Sequence, residues 1–348
     1  IVTADNDLGF AALVTGFESL AVLGSTGAQA INLTNMGITN NIVVSTSAAD
    51  GDLTLSNLVN GGTVTVTGAL TGVTVSNALF ALAAATTDSV NFVMAAAAGF
   101  DGGTFTAANV ETINLNATDT STTAGITAMT VDVTAAAATA LNITGNAGVN
   151  LTLTGSTKIA TLDASASTGA VSVTSVSTAA ITMTGGSAAD SLTANGTTAS
   201  TLIGGAGADT LTTNLGLTTL TGGAGNDLFV IGGASANGGI YTTISDATAG
   251  DRIQLFGTGT EVWNSTAIAL ASTASFSDYL NAASASTTGG ANSELSWFAF
   301  GGNTYIVVDD SNNATFTAGT DGVVALTGVV DLSAASLNGA AAPILMIG

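Results

Sequence analysis

The sequence predicts an all-β protein: a β-solenoid, or β-helix, with a short parallel β-roll and a carboxy-terminal β-rich module. Apolar and polar residues alternate in many short stretches, such as TVTVT at 63–67 and VSVT at 171–174. This period of two turns one set of side chains inward and leaves mostly Thr and Ser outside. Aromatic residues make up only 5% of the chain. The core is therefore narrow, which favours a solenoid over a thick sandwich.

The charge balance is extreme. Of 348 residues, 23 are acidic, two are basic (Lys158 and Arg252) and none is histidine, so the formal net charge is −21. Two cations cannot form the basic surface that nucleic acids or anionic lipids require. Unopposed acids instead favour a hard cation such as Ca²⁺, and neutralising them would take roughly ten divalent ions. Richness in Gly, Ser, Thr and Ala can also mean disorder, but a hydrophobic fraction of 46% argues for a packed core.

The residue types also limit the chemistry. Without His or Cys, the chain has no His-based triad, no Cys nucleophile, no disulfide and none of the nitrogen or sulfur ligands usual for zinc. A carboxylate pair could still hydrolyse a glycoside, and β-helical polysaccharide lyases use calcium with a basic residue. Lys158 and Arg252 are the only basic candidates, and both are more typical of solvated or ion-paired residues. We therefore predict a protein that is not an enzyme. No apolar run is long enough to predict a membrane span.

Four segments are predicted along the chain: two β-solenoid blocks at 1–109 and 110–184, a β-roll at 185–232 and the carboxy-terminal module at 233–348. The two blocks are suggested by FESLAV at 17–22 and VETINL at 110–115, which align Glu18 with Glu111. Chance similarity between strands of biased composition is the alternative.

The last segment has a different composition, because both tryptophans and several phenylalanines lie in it. ELSWFAFGGNTYIVV at 294–308 predicts a hairpin that turns at Gly301, Gly302 and Asn303. FSDYLNAA at 276–283 is the best helix candidate, with Ser277 as its cap.

One nine-residue phrase occurs twice in full, as GGAGADTLT at 204–212 and GGAGNDLFV at 222–230. A weaker copy, GGSAADSLT, occupies 185–193. The glycines permit tight turns that direct carbonyl oxygens toward one point, the acid adds a carboxylate, and the next large apolar residue enters a strand. Two such phrases make one coil of a roll, so copies about 18 residues apart should stack on the same side.

Asp190, Asp209 and Asp227 should then form a ladder along one side of the roll. The opposite turns, NGTTAS at 195–200 and TNLGLT at 213–218, carry no acid. We therefore expect a one-sided calcium ladder with about two sites between three turns. Glycine turns that bind no metal are the alternative.

These copies resemble the RTX, or repeat-in-toxin, family of calcium-binding repeats. YTTISDATAGDRIQL at 241–255 is similar to the segment that commonly follows such repeats. That resemblance implies that Asp246 and Asp251 are calcium ligands, whereas the simpler interpretation makes them turn and cap residues. The full set of candidate metal residues is Gly185, Gly186, Asp190, Gly204, Gly205, Gly207, Asp209, Gly222, Gly223, Gly225, Asn226, Asp227, Asp246 and Asp251.

Three stretches, VETINLNATDTSTTA at 110–124, TGNAGVNLTLTGST at 144–157 and WFAFGGNTYIVVDDSNNATFTAGTDGVVALTG at 297–328, resemble the carboxy-terminal part of Caulobacter-type S-layer proteins. The resemblance covers roughly residues 110–348. It implies a secreted surface protein that binds several Ca²⁺ ions and assembles with itself into a lattice. It also implies type I secretion through an uncleaved signal within the last ~80 residues.

Two further expectations concern attachment and function. Members of that family are anchored to cell-surface polysaccharide through an amino-terminal region that is not evident here. Either that region is removed or this protein attaches differently. The alternative function is a secreted RTX adhesin or an ice- or carbohydrate-binding module, with Thr-x-Thr strands forming the binding face. The scattered positions of the Thr pairs weaken the case for an ice-binding face.

Overall fold

The computed structural model describes residues 20–23, 29–33, 41–45, 52–76, 87–122, 128–194, 199–213, 217–234, 237–256, 261–285, 294–311, 313–338 and 343–348. The chain forms two compact units. The first comprises Ile1–Ser177 with Thr184–Ala188, and the second comprises Thr178–Met183 with Ala189–Gly348. Glu18, which the sequence aligned with Glu111, lies outside the described residues.

The first unit consists of two parallel sheets to which the chain contributes in alternation. One sheet contains β1 (Leu20–Leu23), β3 (Asn41–Ser45), β5 (Thr63–Val66), β7 (Ser89–Ala96), β9 (Thr112–Asp119), β11 (Ala140–Gly145) and β13 (Thr161–Ser167), in that order. The other contains β2 (Gln29–Asn32), β4 (Leu53–Ser56), β6 (Gly72–Ser76), β8 (Asp101–Ala107), β10 (Met129–Thr134), β12 (Val149–Thr152) and β14 (Val171–Thr174). Each strand pairs with the strand two places later in the chain, which is the pattern of a β-solenoid.

Alternating burial produces a narrow core between these sheets. Val90, Phe92 and Met94 of β7 are fully buried, and Phe92 stacks on Phe105 of β8 with ring centroids 4.3 Å apart. Small aliphatic residues fill most of the remaining core. The low aromatic content of the sequence therefore corresponds to a thin, tightly packed interior.

The second unit begins as the same kind of coil. The strand β15 (Thr182–Thr184) spans the sequence boundary between the units. The coil then continues through β16 (Ser191–Ala194), β17 (Thr201–Ala206), β18 (Thr210–Thr213), β19 (Thr219–Ala224), β20 (Leu228–Ile231), β21 (Thr242–Ile244) and β22 (Arg252–Gln254). The remaining elements are β23 (Val262–Trp263), α1 (Phe276–Ser284), β24 (Glu294–Phe300), β25 (Asn303–Asp309), β26 (Gly322–Leu326), β27 (Ser336–Asn338) and β28 (Ile344–Met346).

The carboxy-terminal strands extend both sheets of this coil. One sheet runs β17-β19-β21-β26-β25-β24-β23 and the other β16-β18-β20-β22-β28-β27. β25 pairs antiparallel with β24 and β26, and β28 pairs antiparallel with β22. The predicted all-β solenoid with a β-rich carboxy-terminal module is confirmed, whereas the four predicted segment boundaries stay predictions. No helix in the described ranges is long and apolar enough to cross a bilayer.

The predicted hairpin and helix are both present, with one correction. Gly301 and Gly302 form the hairpin loop with φ of 58° and 87°, as a two-residue turn of this kind requires. α1 begins at Phe276, but its cap is Ser275, so the prediction of Ser277 as the cap was wrong. The Ser275 hydroxyl accepts from the Asp278 amide, and the Asp278 carboxylate accepts from the Ser275 amide. This reciprocal pair selects the earlier serine because its acid lies three residues on.

Replacing Ser275 by Ala should weaken α1, because the amide of Asp278 would lose its acceptor. We expect a loss of about 1 kcal/mol in the opening free energy of the helix. Hydrogen–deuterium exchange of the segment 271–285 should then be about fivefold faster. Ser277→Ala is the matched control, since Ser277 is exposed inside the helix, and its exchange should not accelerate. Equal effects of the two changes would contradict the capping assignment.

Candidate metal centre

The two full copies of the repeated phrase lie directly above one another. Each begins at the end of one strand, turns, and enters the next strand just after its aspartate. Gly205 pairs with Gly223 in the register of β17 and β19. Thr210 pairs with Leu228 in that of β18 and β20. The 18-residue spacing thus corresponds to one coil, as predicted.

The glycines of the phrase meet two separate steric demands. Gly205, Gly207, Gly223 and Gly225 have positive φ, between 99° and 143°, a region that residues with a Cβ rarely adopt. The first glycine of each copy has a different role. A Cβ at Gly204 would overlap the Oδ2 atom of Asp209. Gly204 therefore makes room for a carboxylate that folds back over the turn, and Gly222 does the same for Asp227.

Asp190, Asp209, Asp227 and Asp251 form a column in which the last three carboxylates each accept a hydrogen bond from a backbone amide of the preceding coil. The amide of Asp190 donates to Asp209 Oδ1 at 2.7 Å. The amide of Asp209 donates to Asp227 Oδ1 at 2.8 Å, and that of Asp227 to Asp251 Oδ1 at 2.9 Å. All four side chains are buried, at 1–3% exposure. We call these four residues the aspartate column.

The column concentrates negative charge where water has been removed. Its coils are one strand spacing apart, about 5 Å, where two unit charges repel by about 3 kcal/mol at an effective dielectric constant of about 20. Burial, and to a smaller extent the charges of Asp190 and Asp227, raise the pKa of Asp209 to about 6 against the lowering effect of the hydrogen bond from the Asp190 amide. Burial likewise raises the pKa of Asp227.

Asp209 has one carboxylate oxygen that no protein group satisfies. Its Oδ1 atom accepts from Asp190, but Oδ2 is buried and has no hydrogen-bond partner. A buried ionised oxygen is costly without a donor or a cation. This oxygen is the feature of the column that fits a metal ion.

Asp246 accepts hydrogen bonds from a glycine turn, and Asp251 accepts them from the loop that precedes β22. The Asp246 carboxylate accepts from the amides of Gly222 at 2.9 Å and Gly223 at 2.7 Å. Asp251 Oδ2 accepts from the Thr248 amide at 2.7 Å and from its hydroxyl at 3.2 Å. Both acids therefore perform the turn and cap role, and calcium ligation by either stays a prediction.

The remaining predicted metal residues, Gly185, Gly186 and Asn226, make no contact that assigns them a role in the aspartate column. Gly185 and Gly186 are buried and belong to the first unit, whereas Asp190 belongs to the second. Asn226 is exposed and lies against Gly250. Among the opposite turns, only the ends of TNLGLT at 213–218 and the last two residues of NGTTAS at 195–200 are described. Thr213 and Thr218 close the former with a hydroxyl–hydroxyl hydrogen bond of 3.0 Å.

The repeat spacing alone did not predict that Asp251 continues the aspartate column. Asp251 follows Asp227 by 24 residues, so the 18-residue period does not reach it. The available signal was local, because Asp251 immediately precedes a strand just as Asp209 and Asp227 do. The amide of Arg252 donates to the Asp227 carbonyl at 2.8 Å, the same bond that Leu228 makes to Asp209.

The sequence also did not predict a similar hydrogen bond between acidic residues of neighbouring coils in the first unit. The amide of Asp88 donates to Glu111 Oε2 at 3.0 Å, one coil away. Asn60 in turn donates to Asp88 Oδ1 at 2.9 Å. Acids at the starts of strands thus bond to the neighbouring coil in both units, which is a structural role that needs no metal.

Carboxylates alone do not form a metal cage. Within the ranges that the structure describes, no three acidic side chains converge in a way that could hold a metal ion. Any ion at Asp209 Oδ2 would need carbonyl oxygens of the glycine turns as further ligands, which suits the oxygen preference of calcium. No family model and no curated protein matches the chain.

The raised pKa of Asp209 predicts an inverted pH dependence when metal is removed. Since the folded-state pKa is about 6 and the ordinary value is 3.8, the stabilising contribution is complete below pH 4 and is lost as the pH rises through 6. In chelator, we expect the free energy of unfolding of the wild type to fall by about 2 kcal/mol relative to that of Asp209→Asn between pH 4 and pH 7. Urea unfolding at several pH values measures this difference.

Asp163→Asn is the control of opposite sign. Asp163 is exposed, and hydrogen bonds from Ser165 lower the pKa of its carboxyl. The wild type should therefore gain stability relative to Asp163→Asn as the pH rises through the acidic range. If the difference in unfolding free energy between wild type and variant changed with pH in the same way for both variants, the charge of Asp209 would not be destabilising.

Proposed function

We propose that this chain is a structural protein of a bacterial surface layer, whose roll folds on calcium outside the cell and which then assembles with copies of itself. The observation that carries the proposal is the buried, unsatisfied Oδ2 atom of Asp209 within a column of four stacked acids. A cation bound at this oxygen would supply the partner that the protein does not provide.

A cation suits this oxygen better than a proton. A carboxyl with a pKa of about 6 is mostly ionised at the neutral pH of most extracellular media. Ca²⁺ is the hard divalent ion that accepts irregular sets of carboxylate and carbonyl oxygens. Asp209 and Asp227, together with carbonyls of the turns at 204–209 and 222–227, would hold it, and the ion would supply the positive charge that the column lacks.

Calcium would then couple folding to secretion. Extracellular calcium modules bind at about 10⁻⁴–10⁻³ M, so such sites stay empty in the cytosol and fill outside. A hundredfold excess of calcium over Kd stabilises the folded state by about 2.7 kcal/mol for each site. A chain exported unfolded, by the type I route that the resemblance to Caulobacter-type S-layer proteins implies, would fold on arrival.

Assembly into a lattice is supported by the surface and the charge. The outward side chains of the first unit are mostly Thr, Ser and Asn along parallel sheets, a form that suits broad side-by-side contacts. The net charge of −21 would oppose association between copies in the absence of cations. Calcium between subunits would offset that repulsion.

A second candidate function is binding of a carbohydrate surface by a secreted adhesin. The observation that favours it is a shallow cavity of about 340 Å³ on the outer side of β10, β12 and β14. Thr130, Asn150 and Ser172 lie side by side in register there and are exposed. Such a row of neutral hydroxyls and amides could bind sugar hydroxyls, with the side chains of Thr152 and Thr174 beside it.

Removal of the two central carboxylates should raise the calcium that folding requires. We expect Asp209→Asn combined with Asp227→Asn to shift the calcium midpoint of folding at least tenfold, because the ion loses its charged ligands. Circular dichroism during calcium titration measures this. Asp163→Asn removes an exposed acid as control and should leave the midpoint unchanged. A midpoint that does not move in the double variant would refute calcium binding by the column.

Lattice formation should depend on calcium. Light scattering should rise during calcium addition, and electron microscopy of the same samples should show ordered sheets that dissolve in chelator. A protein that remains monomeric at millimolar calcium would contradict the lattice. Glycan-array binding by that monomer, abolished by Thr152→Ala and Thr174→Ala, would support the adhesin instead.

A further inference from the structure

One buried aspartate closes a loop over the helix of the carboxy-terminal module. The loop leads from the end of β25 to the start of β26, and we call its residues 313–321 the strap. Asp321 is fully buried, and its Oδ1 atom accepts from the amides of Asp310 at 3.0 Å and Ser311 at 2.9 Å. Its Oδ2 atom accepts from the Thr317 amide at 2.6 Å and from the Ser311 hydroxyl at 3.2 Å. This carboxylate therefore ties the strap to the end of β25.

The strap lies against α1 and the aromatic core beneath it. The Phe316 amide donates to Asn281 Oδ1 of α1 at 3.2 Å. The Phe316 ring packs against the core cluster that includes Leu280 of α1 and both Phe298 and Tyr305 of the sheet. Displacement of the strap would therefore expose part of this cluster to water.

Asp309, the last residue of β25, lies beside Asp321. The Ser311 amide is 2.9 Å from Asp321 Oδ1 and 3.2 Å from Asp309 Oδ1, so one donor lies between the two carboxyl groups. The two groups are also hydrogen-bonded to each other. Ionised carboxylates only accept, so this bond requires a proton on one of them. The four donors to Asp321 favour its charged form, and the proton therefore belongs to Asp309.

Among the described residues, the elements packed against this pair contribute no basic group. Their titratable side chains are acids and phenols, namely Glu294 of β24, Asp310, Tyr305 of β25, Asp278 and Tyr279 of α1, and Tyr241. The single basic residue of the second unit is Arg252, which lies on β22 in the other sheet. Loss of the shared proton would therefore leave two adjacent negative charges without compensation.

The shared proton is lost between acidic and neutral pH. Burial, and to a smaller extent the charge of Asp321, raise the pKa of Asp309 to about 6 against the lowering effect of the hydrogen bonds from Ser311. The ordinary value is 3.8, so protonation of Asp309 favours the closed strap fully below pH 4. This contribution is lost as the pH rises through 6.

We propose that Asp309 and Asp321 form a proton-sharing clasp, which holds the strap over α1 in acid and loosens it when both carboxyl groups are ionised. Asp321 cannot move away from the charge on Asp309 without breaking its bonds to Ser311 and Thr317. Opening of the strap therefore relieves the repulsion. The clasp contains no residue of the aspartate column, so it acts whether or not that column binds calcium.

Hydrogen–deuterium exchange of the full chain at constant calcium concentration tests the clasp. After correction for the intrinsic exchange rate, we expect the opening of the strap to increase about tenfold between pH 5 and pH 7. The amides of β14 serve as the reference, because that strand contains no titratable side chain. Their opening should stay constant over the same range.

Asp309→Asn removes the charge but keeps a hydrogen-bond donor. The new amide can donate to Asp321 without titrating, so the strap should open equally at pH 5 and pH 7. Asp331→Asn is the matched control, since it removes an exposed acid of the same module. It should keep the wild-type increase in strap opening.

Two results would overturn the proposal. If Asp309 only capped the turn at Ser311 and stayed ionised, strap opening in the wild type would be the same at pH 5 and pH 7. If Asp309→Asn kept the wild-type increase, another group would be responsible for it. Should Asp309→Asn fail to fold, the wild type decides, because equal changes in the strap and in β14 would also refute the clasp.

Discussion

Parallel stacking of coils in register is the constraint on which the rest of this structure depends. Each coil repeats the path of the one before it at one strand spacing, about 4.8 Å. A side chain therefore meets the residue at the same position of the neighbouring coil. Where that residue can both donate and accept hydrogen bonds, stacking is favourable. Where it carries a charge of the same sign, stacking is unfavourable and needs compensation.

The two units contain one example of each outcome. In the first, Asn91, Asn114 and Asn142 form an amide ladder with hydrogen bonds of 2.9 Å and 2.8 Å, because an amide is both donor and acceptor. In the second, the aspartate column cannot form such a ladder between side chains, since carboxylates only accept. The carboxylates of Asp209, Asp227 and Asp251 instead accept from a backbone amide of the preceding coil, and the charge remains. The accumulation of like charges thus follows from the repetition itself.

The carboxy-terminal module ends this repetition. β26 pairs parallel with β21 but antiparallel with β25, and β28 pairs antiparallel with β22. Strands that reverse direction interrupt the parallel pairing by which another coil could add to a solenoid. The module also has a different core, in which α1 and aromatic rings such as Phe276, Phe298 and Tyr305 pack together.

Several features could be read from the sequence because they depend on neighbours in the chain. Period-two alternation predicted the strands, and Gly301 with Gly302 predicted the hairpin. The 18-residue spacing of the full copies predicted that Asp209 and Asp227 lie one coil apart. The sequence placed the helix cap two residues too late, at Ser277, which lies inside the helical segment itself. The reciprocal bond between Ser275 and Asp278 decides the actual cap.

By itself, the sequence determined an acidic β-solenoid with stacked glycine–aspartate turns, because composition, alternation and spacing are local properties. Only the tertiary structure decided which acids share a column and which oxygen is left unsatisfied. Asp251 enters the column after an irregular loop, and Gly204 admits the Asp209 carboxylate by lacking a Cβ. Glu294 and Asp321 lie 27 residues apart in the chain, and the pairing of β24, β25 and β26 brings them to one end of the sheet. Burial and register between distant segments set these contacts, and neither is visible in a local pattern.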